Sequence, residues 1–124
     1  MNIALWIVQG LLALVFGASG VVKATRDRKR LFDDGIAWVE DFPAPAVRAI
    51  GVLEILAAVG LVLPAVTGIA PVLTPLAAVG IALLMAGAAV VHQRRGEFAF
   101  LGVVAFLFVA AAFVAWGRFG PYAF

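Results

Sequence analysis

Residues 49–91 read AIGVLEILAAVGLVLPAVTGIAPVLTPLAAVGIALLMAGAAVV, 43 consecutive positions with a single charge, Glu54. As one helix at 1.5 Å per residue the run would extend about 65 Å, roughly twice the thickness of a bilayer's hydrocarbon core, so it has to fold back on itself. Pro64, Thr67, Gly68, Pro71 and Pro75 mark the place. Proline ends one helix and is tolerated in the first turn of the next. The stretch therefore predicts two antiparallel membrane helices, over 45–63 and 72–91, joined by an uncharged turn.

The same reading extends outward in both directions. Residues 3–22 form an uncharged run whose clearly polar members are Gln9 and Ser19, and residues 98–116 form another. Each is long enough to span. A cleaved leader is the competing reading of 3–22, but no Lys or Arg precedes the apolar run, whereas Lys23, Arg26, Arg28, Lys29 and Arg30 follow it. The run is expected to be a retained span. The fold class is thus an all-α integral membrane protein, one domain over 1–124 arranged as an antiparallel four-helix bundle. Composition agrees: 65% of residues are hydrophobic and 13% charged, against about 45–50% and 25% in soluble domains.

The absence of cysteine removes disulfide frameworks, cysteine-ligated zinc, iron–sulfur clusters and dithiol redox chemistry. One histidine makes a self-contained haem or copper site improbable, and no metal site is expected. The pI of about 9.7 does not signal nucleic acid, because the net charge is only +2 and the cations cluster beside the spans. Lys23, Arg26, Arg28, Lys29, Arg30, Arg48, Arg94 and Arg95 fall on the side of the two polar loops, against Arg118 on the side of the termini. The positive-inside bias places both loops in the cytoplasm and both termini outside it. Between the first two spans, residues 31–42 interleave apolar and acidic side chains, which suits a short amphipathic interfacial helix anchored by Trp38 or a plain connector. Trp116, Phe119, Tyr122 and Phe124 form an aromatic collar at the other face.

Glu54 lies about 13 Å into its span, where an acid normally faces the bundle interior and marks function. Gly51, Ala57 and Ala58 share its face, and small residues there admit a neighbouring helix. The plainer role is a carboxyl that braces two helices. Gln9, Phe16 and Lys23 recur at heptad spacing on the first span, so Lys23 or Gln9 is the expected polar partner of Glu54, although a terminal lysine commonly snorkels to water. His92 closes the third span at the Lys23 level; imidazole as a group exchanges protons near neutrality, and at a helix C-terminus it also complements the dipole. Glu54, Lys23, Gln9 and His92 are accordingly the candidate ligand or proton site. No nucleophile elbow, phosphate loop, metal cluster or dinucleotide fingerprint accompanies them.

Ser19-Gly20-Val21-Val22-Lys23, Ile50-Gly51-Val52-Leu53-Glu54, Gly60-Leu61-Val62-Leu63-Pro64 and Met85-Ala86-Gly87-Ala88 leading to His92 together resemble the DoxX/DoxX-like family along essentially the full chain. The resemblance implies a four-helix bacterial inner-membrane protein with Lys23, Glu54 and His92 as its polar positions. The family is named for a small subunit associated with a thiosulfate:quinone oxidoreductase, and some relatives are linked to oxidative stress. This chain has no redox-active residue of its own, so redox chemistry would require a redox partner protein or a bound quinone. The leading expectation is a small membrane subunit or quinone- or lipid-binding module. The alternatives are a proton-coupled small-molecule transporter, although small exporters of this size carry their glutamate on the first helix, and a non-catalytic assembly protein, a homo-oligomer included.

Overall fold

The computed structural model describes residues 1–123. Its elements are α1 (Asn2–Thr25), α2 (Arg28–Asp33), a 3-10 helix (Ala37–Asp41), α3 (Ala44–Thr67), α4 (Leu73–Arg94) and α5 (Ala99–Phe119). Four of these helices, α1, α3, α4 and α5, are long and apolar enough to cross a membrane. Among the described residues no strand occurs. The large side chains at the bundle's circumference, among them Ile3, Val66, Leu83 and Phe106, are exposed, as lipid-facing residues are when all four helices are apolar around most of their surface.

The helices pack in a closed ring, with α1 against α3, α3 against α4, α4 against α5 and α5 back on α1. Their shared core is built from Leu12, Phe16, Leu61, Ile81, Val104 and Val114, with Ala58, Ala78 and Ala111 filling between them. The ring has two ends. The termini and the turn between α3 and α4 lie at one, and the polar loops on either side of the α3–α4 hairpin lie at the other.

Each helix outlasts the uncharged run that announced it, because a polar residue in a last turn keeps its backbone bonds while its side chain reaches away. Lys23 and His92 are therefore helical residues, and Arg118 belongs to α5 instead of trailing after it. The end of α3 differs most. Pro64 was expected to stop the helix, yet α3 runs through it to Thr67 and ends at Gly68, whose φ of 71° is left-handed and whose N–H bonds the Pro64 carbonyl. Proline removes the bond to the carbonyl four residues earlier, that of Gly60. The Thr74 hydroxyl donates to this Gly60 carbonyl at 3.1 Å, re-satisfying it from the first turn of α4 as a bilayer requires. Pro75 sits in that same first turn, where its missing N–H would have had no intrahelical partner.

The segment 31–42 is not one amphipathic helix. The α2 turn, capped by Asp27 accepting from the Arg30 N–H, stops at Asp34, and Gly35 (φ 100°) reverses the chain before the 3-10 turn. Leu31 and Val39 from these two pieces bury themselves against Val47 of α3. Of the expected aromatic collar, Phe124 lies outside the described residues.

The backbones of α1 and α3 approach each other closely at two glycines. A Cβ placed on Gly20 would meet the Gly51 carbonyl at 2.6 Å and the Ile55 N–H nitrogen at 2.9 Å, and one on Gly51 would meet the Ala24 nitrogen at 2.7 Å. Backbone atoms cannot yield as a flexible side chain does. Gly20→Ala is expected to destabilise the folded bundle by about 1–3 kcal/mol, the usual cost of overpacking, read as a lowered thermal unfolding temperature in detergent. Gly80→Ala, with open space around its position, is expected to be neutral or slightly stabilising.

Candidate functional site

The Gly20–Gly51 contact brings the following turn of α1 alongside the next turn of α3. Lys23 lies three residues beyond Gly20 and Glu54 three beyond Gly51, so the same crossing that excludes a Cβ sets these two long side chains against each other. Lys23 Nζ donates to Glu54 Oε1 at 2.7 Å. Glu54 is 2% exposed, and the Lys23 side chain is 14% exposed. Lys23 therefore turns inward instead of snorkelling, because a carboxylate stranded in the bundle would cost far more than the rotamers lost in reaching it. The indole of Trp38 covers the ammonium with its centroid 5.3 Å from Nζ. Glu54 Oε2 is buried with no hydrogen-bond partner among the described residues.

A cavity of about 640 Å³ opens beside this pair. All four spanning helices contribute walls, and residues 35–38 and Phe42 of the connector cover its loop end. Its lining is mainly apolar, from Phe16, Met85, Val104 and Leu107 among others, with Lys23, Glu54, His92 and Glu97 as the charged or titratable members.

His92 thus joins the site, although it bonds neither Lys23 nor Glu54. Its Nδ1 is 3.1 Å from Glu97 Oε1, and its ring stacks on Phe100 at a centroid distance of 5.0 Å and an angle of 23°. Arg95 Nε donates to the same Glu97 oxygen at 3.2 Å. Its other guanidinium nitrogens reach Asp41 at 2.7 Å and Glu40 at 2.8 Å, tying the connector to the α4–α5 loop. Asp41, and after it Glu40, hold the Arg95 guanidinium above its ordinary pKa by hydrogen bonding to the charged form.

Gln9 is not part of this site. Fourteen residues separate it from Lys23, about 21 Å along α1, so a shared heptad face puts the two at opposite ends of the bundle. Gln9 is fully buried, donates to the Leu61 carbonyl at 2.8 Å and accepts from Arg118 Nε at 2.6 Å. Arg118 Nη1 also donates to Asn2 Oδ1 at 2.7 Å and to the Tyr122 carbonyl at 2.9 Å, and its guanidinium stands 5.5 Å from the Trp6 ring centroid. This second polar cluster has no clear signature in the sequence. Arg118 reads as an interfacial cation in sequence, but Asn2 and Gln9 continue the Phe16–Lys23 heptad stripe and could have signalled a polar contact there.

Removing one member of the buried pair should cost more than removing both. Lys23→Met is expected to destabilise the bundle by about 3–5 kcal/mol by leaving Glu54 uncompensated, and Lys23→Met combined with Glu54→Leu is expected to recover most of that loss, measured as unfolding midpoints in one detergent.

The sequence model of the DoxX-like family matches residues 7–115, which covers most of each of the four spans and every residue lining the cavity. This chain belongs to the DoxX-like family. No curated protein and no solved structure matches it.

Proposed function

We propose that this DoxX-like membrane protein is a quinone- or lipid-binding module that supports redox processes in the bacterial plasma membrane, with the head group held at Glu54 and Lys23. One observation carries the reading: a buried charge pair, one carboxylate oxygen of which has no partner among the described residues, belongs to the lining of a mainly apolar cavity. A carboxylate oxygen without a donor is costly in such surroundings unless a ligand supplies one. The volume of about 640 Å³ falls within the usual range of small-molecule sites, about 300–1,000 Å³. An apolar body or tail suits Phe16, Met85 and Leu107, and an oxygen-bearing head suits the ammonium and carboxylate.

In this reading the ligand carries whatever redox chemistry occurs, with electrons exchanged through a partner protein, while the protein orients the head and excludes water. The cation distribution, eight on the loop end against Arg118 at the other, supports loops in the cytoplasm and termini outside. The cavity then sits in the cytoplasmic half of the bilayer, covered by the connector.

The full chain purified in mild detergent, extracted and analysed by mass spectrometry is expected to carry an isoprenoid quinone or a defined lipid at near-stoichiometric level. Glu54→Gln, close in volume, is expected to stay folded and to retain about tenfold less or lower, as loss of a charge-assisted hydrogen bond implies. Equal retention by the variant, or no species enriched over bulk lipid in the native protein, would exclude the reading.

Orientation is tested separately. A reporter that matures only in an oxidising compartment is expected to be active when fused after the last residue and inactive when inserted between Arg94 and Glu97; the reverse pattern would invert the topology.

A further inference from the structure

A second residue of the cavity lining, His92, has an acceptor without a protein partner among the described residues. An ionised carboxylate can only accept, so the Glu97 contact requires His92 Nδ1 to carry the hydrogen. The Arg95 Nε bond to that same oxygen places two donors on it and leaves no room for the opposite polarity. The stack on Phe100 fixes the ring plane, and the His92 side chain is 13% exposed. In the neutral ring, Nε2 is then an acceptor held in one orientation on a residue that lines the cavity, and it makes no hydrogen bond with a described residue. A carboxylate that fixes the tautomer of a histidine is a common way of aiming its other nitrogen at a ligand.

Two residues that line the chamber, Glu54 and His92, thus each have one acceptor atom, Oε2 and Nε2, without a hydrogen-bond partner among the described residues, and they come from different helices. A carbonyl head could meet only Lys23 and would leave both acceptors unpaired, whereas hydroxyl hydrogens satisfy them. A cationic donor is disfavoured by Lys23 beside the first acceptor and Arg95 behind the second. A flat ring is favoured by Trp38 and Phe100 in the same lining.

Building on the cavity reading above, we propose that His92 Nε2 is a hydrogen-bond acceptor for the ligand and that the site selects a neutral ring bearing hydroxyl groups, of the hydroquinone type, over the corresponding carbonyl form. Glu97 is a positioning residue, acting through the imidazole it orients. The consequence is a binding preference between the reduced and oxidised states of one head group, set by acceptor count and not by ring size.

The test uses the full chain in phosphatidylcholine nanodiscs under anaerobic conditions, titrated calorimetrically with tetramethylhydroquinone, its dimethyl ether and tetramethylbenzoquinone. The three share a ring and differ in donors. The native protein is expected to bind the hydroquinone about tenfold or more tightly than the ether or the quinone, in line with the worth of satisfying buried acceptors. His92→Phe, which keeps an aromatic ring against Phe100, and Glu97→Gln, which releases the tautomer, are each expected to reduce that ratio by about fivefold while ether binding changes little; if one variant fails to fold, the other decides. Equal binding of hydroquinone and ether by the native protein, or an unchanged ratio in the folded variants, would overturn the His92 assignment and leave the cavity reading standing. Binding of none of the three would remove the hydroquinone and His92 assignments, and the co-purification measurement would then decide the cavity reading, which a defined lipid in the chamber sustains and its absence excludes.

Discussion

Two glycines decide how close α1 and α3 come, and most of the loop end of this protein depends on that distance. With only hydrogen atoms at Gly20 and Gly51, the two backbones touch. Helix association in lipid is driven by close packing and interhelical polar bonds, since lipid tails are as apolar as leucine. The contact supplies the first and makes the second possible. One turn further on, the lysine and the glutamate are within 2.7 Å of each other instead of facing hydrocarbon from two separated helices. A side chain at either glycine would move the helices apart and weaken the contact that makes a buried acid tolerable.

The remaining polar groups obey the same constraint at the other end, with a different result. Gln9, Asn2 and the Tyr122 carbonyl surround Arg118 with acceptors, and Thr74 takes up the carbonyl that Pro64 abandons. Together with the Gln9 bond to the Leu61 carbonyl, they join α1 to α3, α1 to α5 and α3 to α4. Gly117 admits Leu5 at this end, where an added Cβ would meet the leucine methyl carbons at 2.7 Å, so the space between helices is filled. At the loop end the corresponding space is a chamber, and its polar groups have bonding capacity left over. This asymmetry is why the proposed binding site is assigned to the loop end.

Charged residues beyond the spans serve a third purpose. Arg95 gathers Glu40, Asp41 and Glu97, joining a connector with a buried cluster of only three residues to the α4–α5 loop. Such ion pairs near the surface contribute little to stability individually. Their value here is positional, since the connector carries Trp38 over Lys23 and Glu97 orients His92.

The order of residues along the chain determined the number of spans, the membrane class, the uneven distribution of cations and the family motifs. Each of these depends on apolar length or on charge per segment, which need no knowledge of neighbours. The Glu54–Lys23 contact was legible as one of two pairings, because an acid in mid-span demands a partner and the polar stripe of the first span offers both Lys23 and Gln9. Only the tertiary structure decided which polar residues meet. A helix that is apolar on nearly every face gives no periodic signal for its rotation about its own axis or its vertical register, so Gln9 could not be separated from the Glu54 site, Arg118 read as a surface cation, and Pro64 read as a stop. Packing of glycine against glycine settled rotation and register, and the pairing of buried polar groups followed from it.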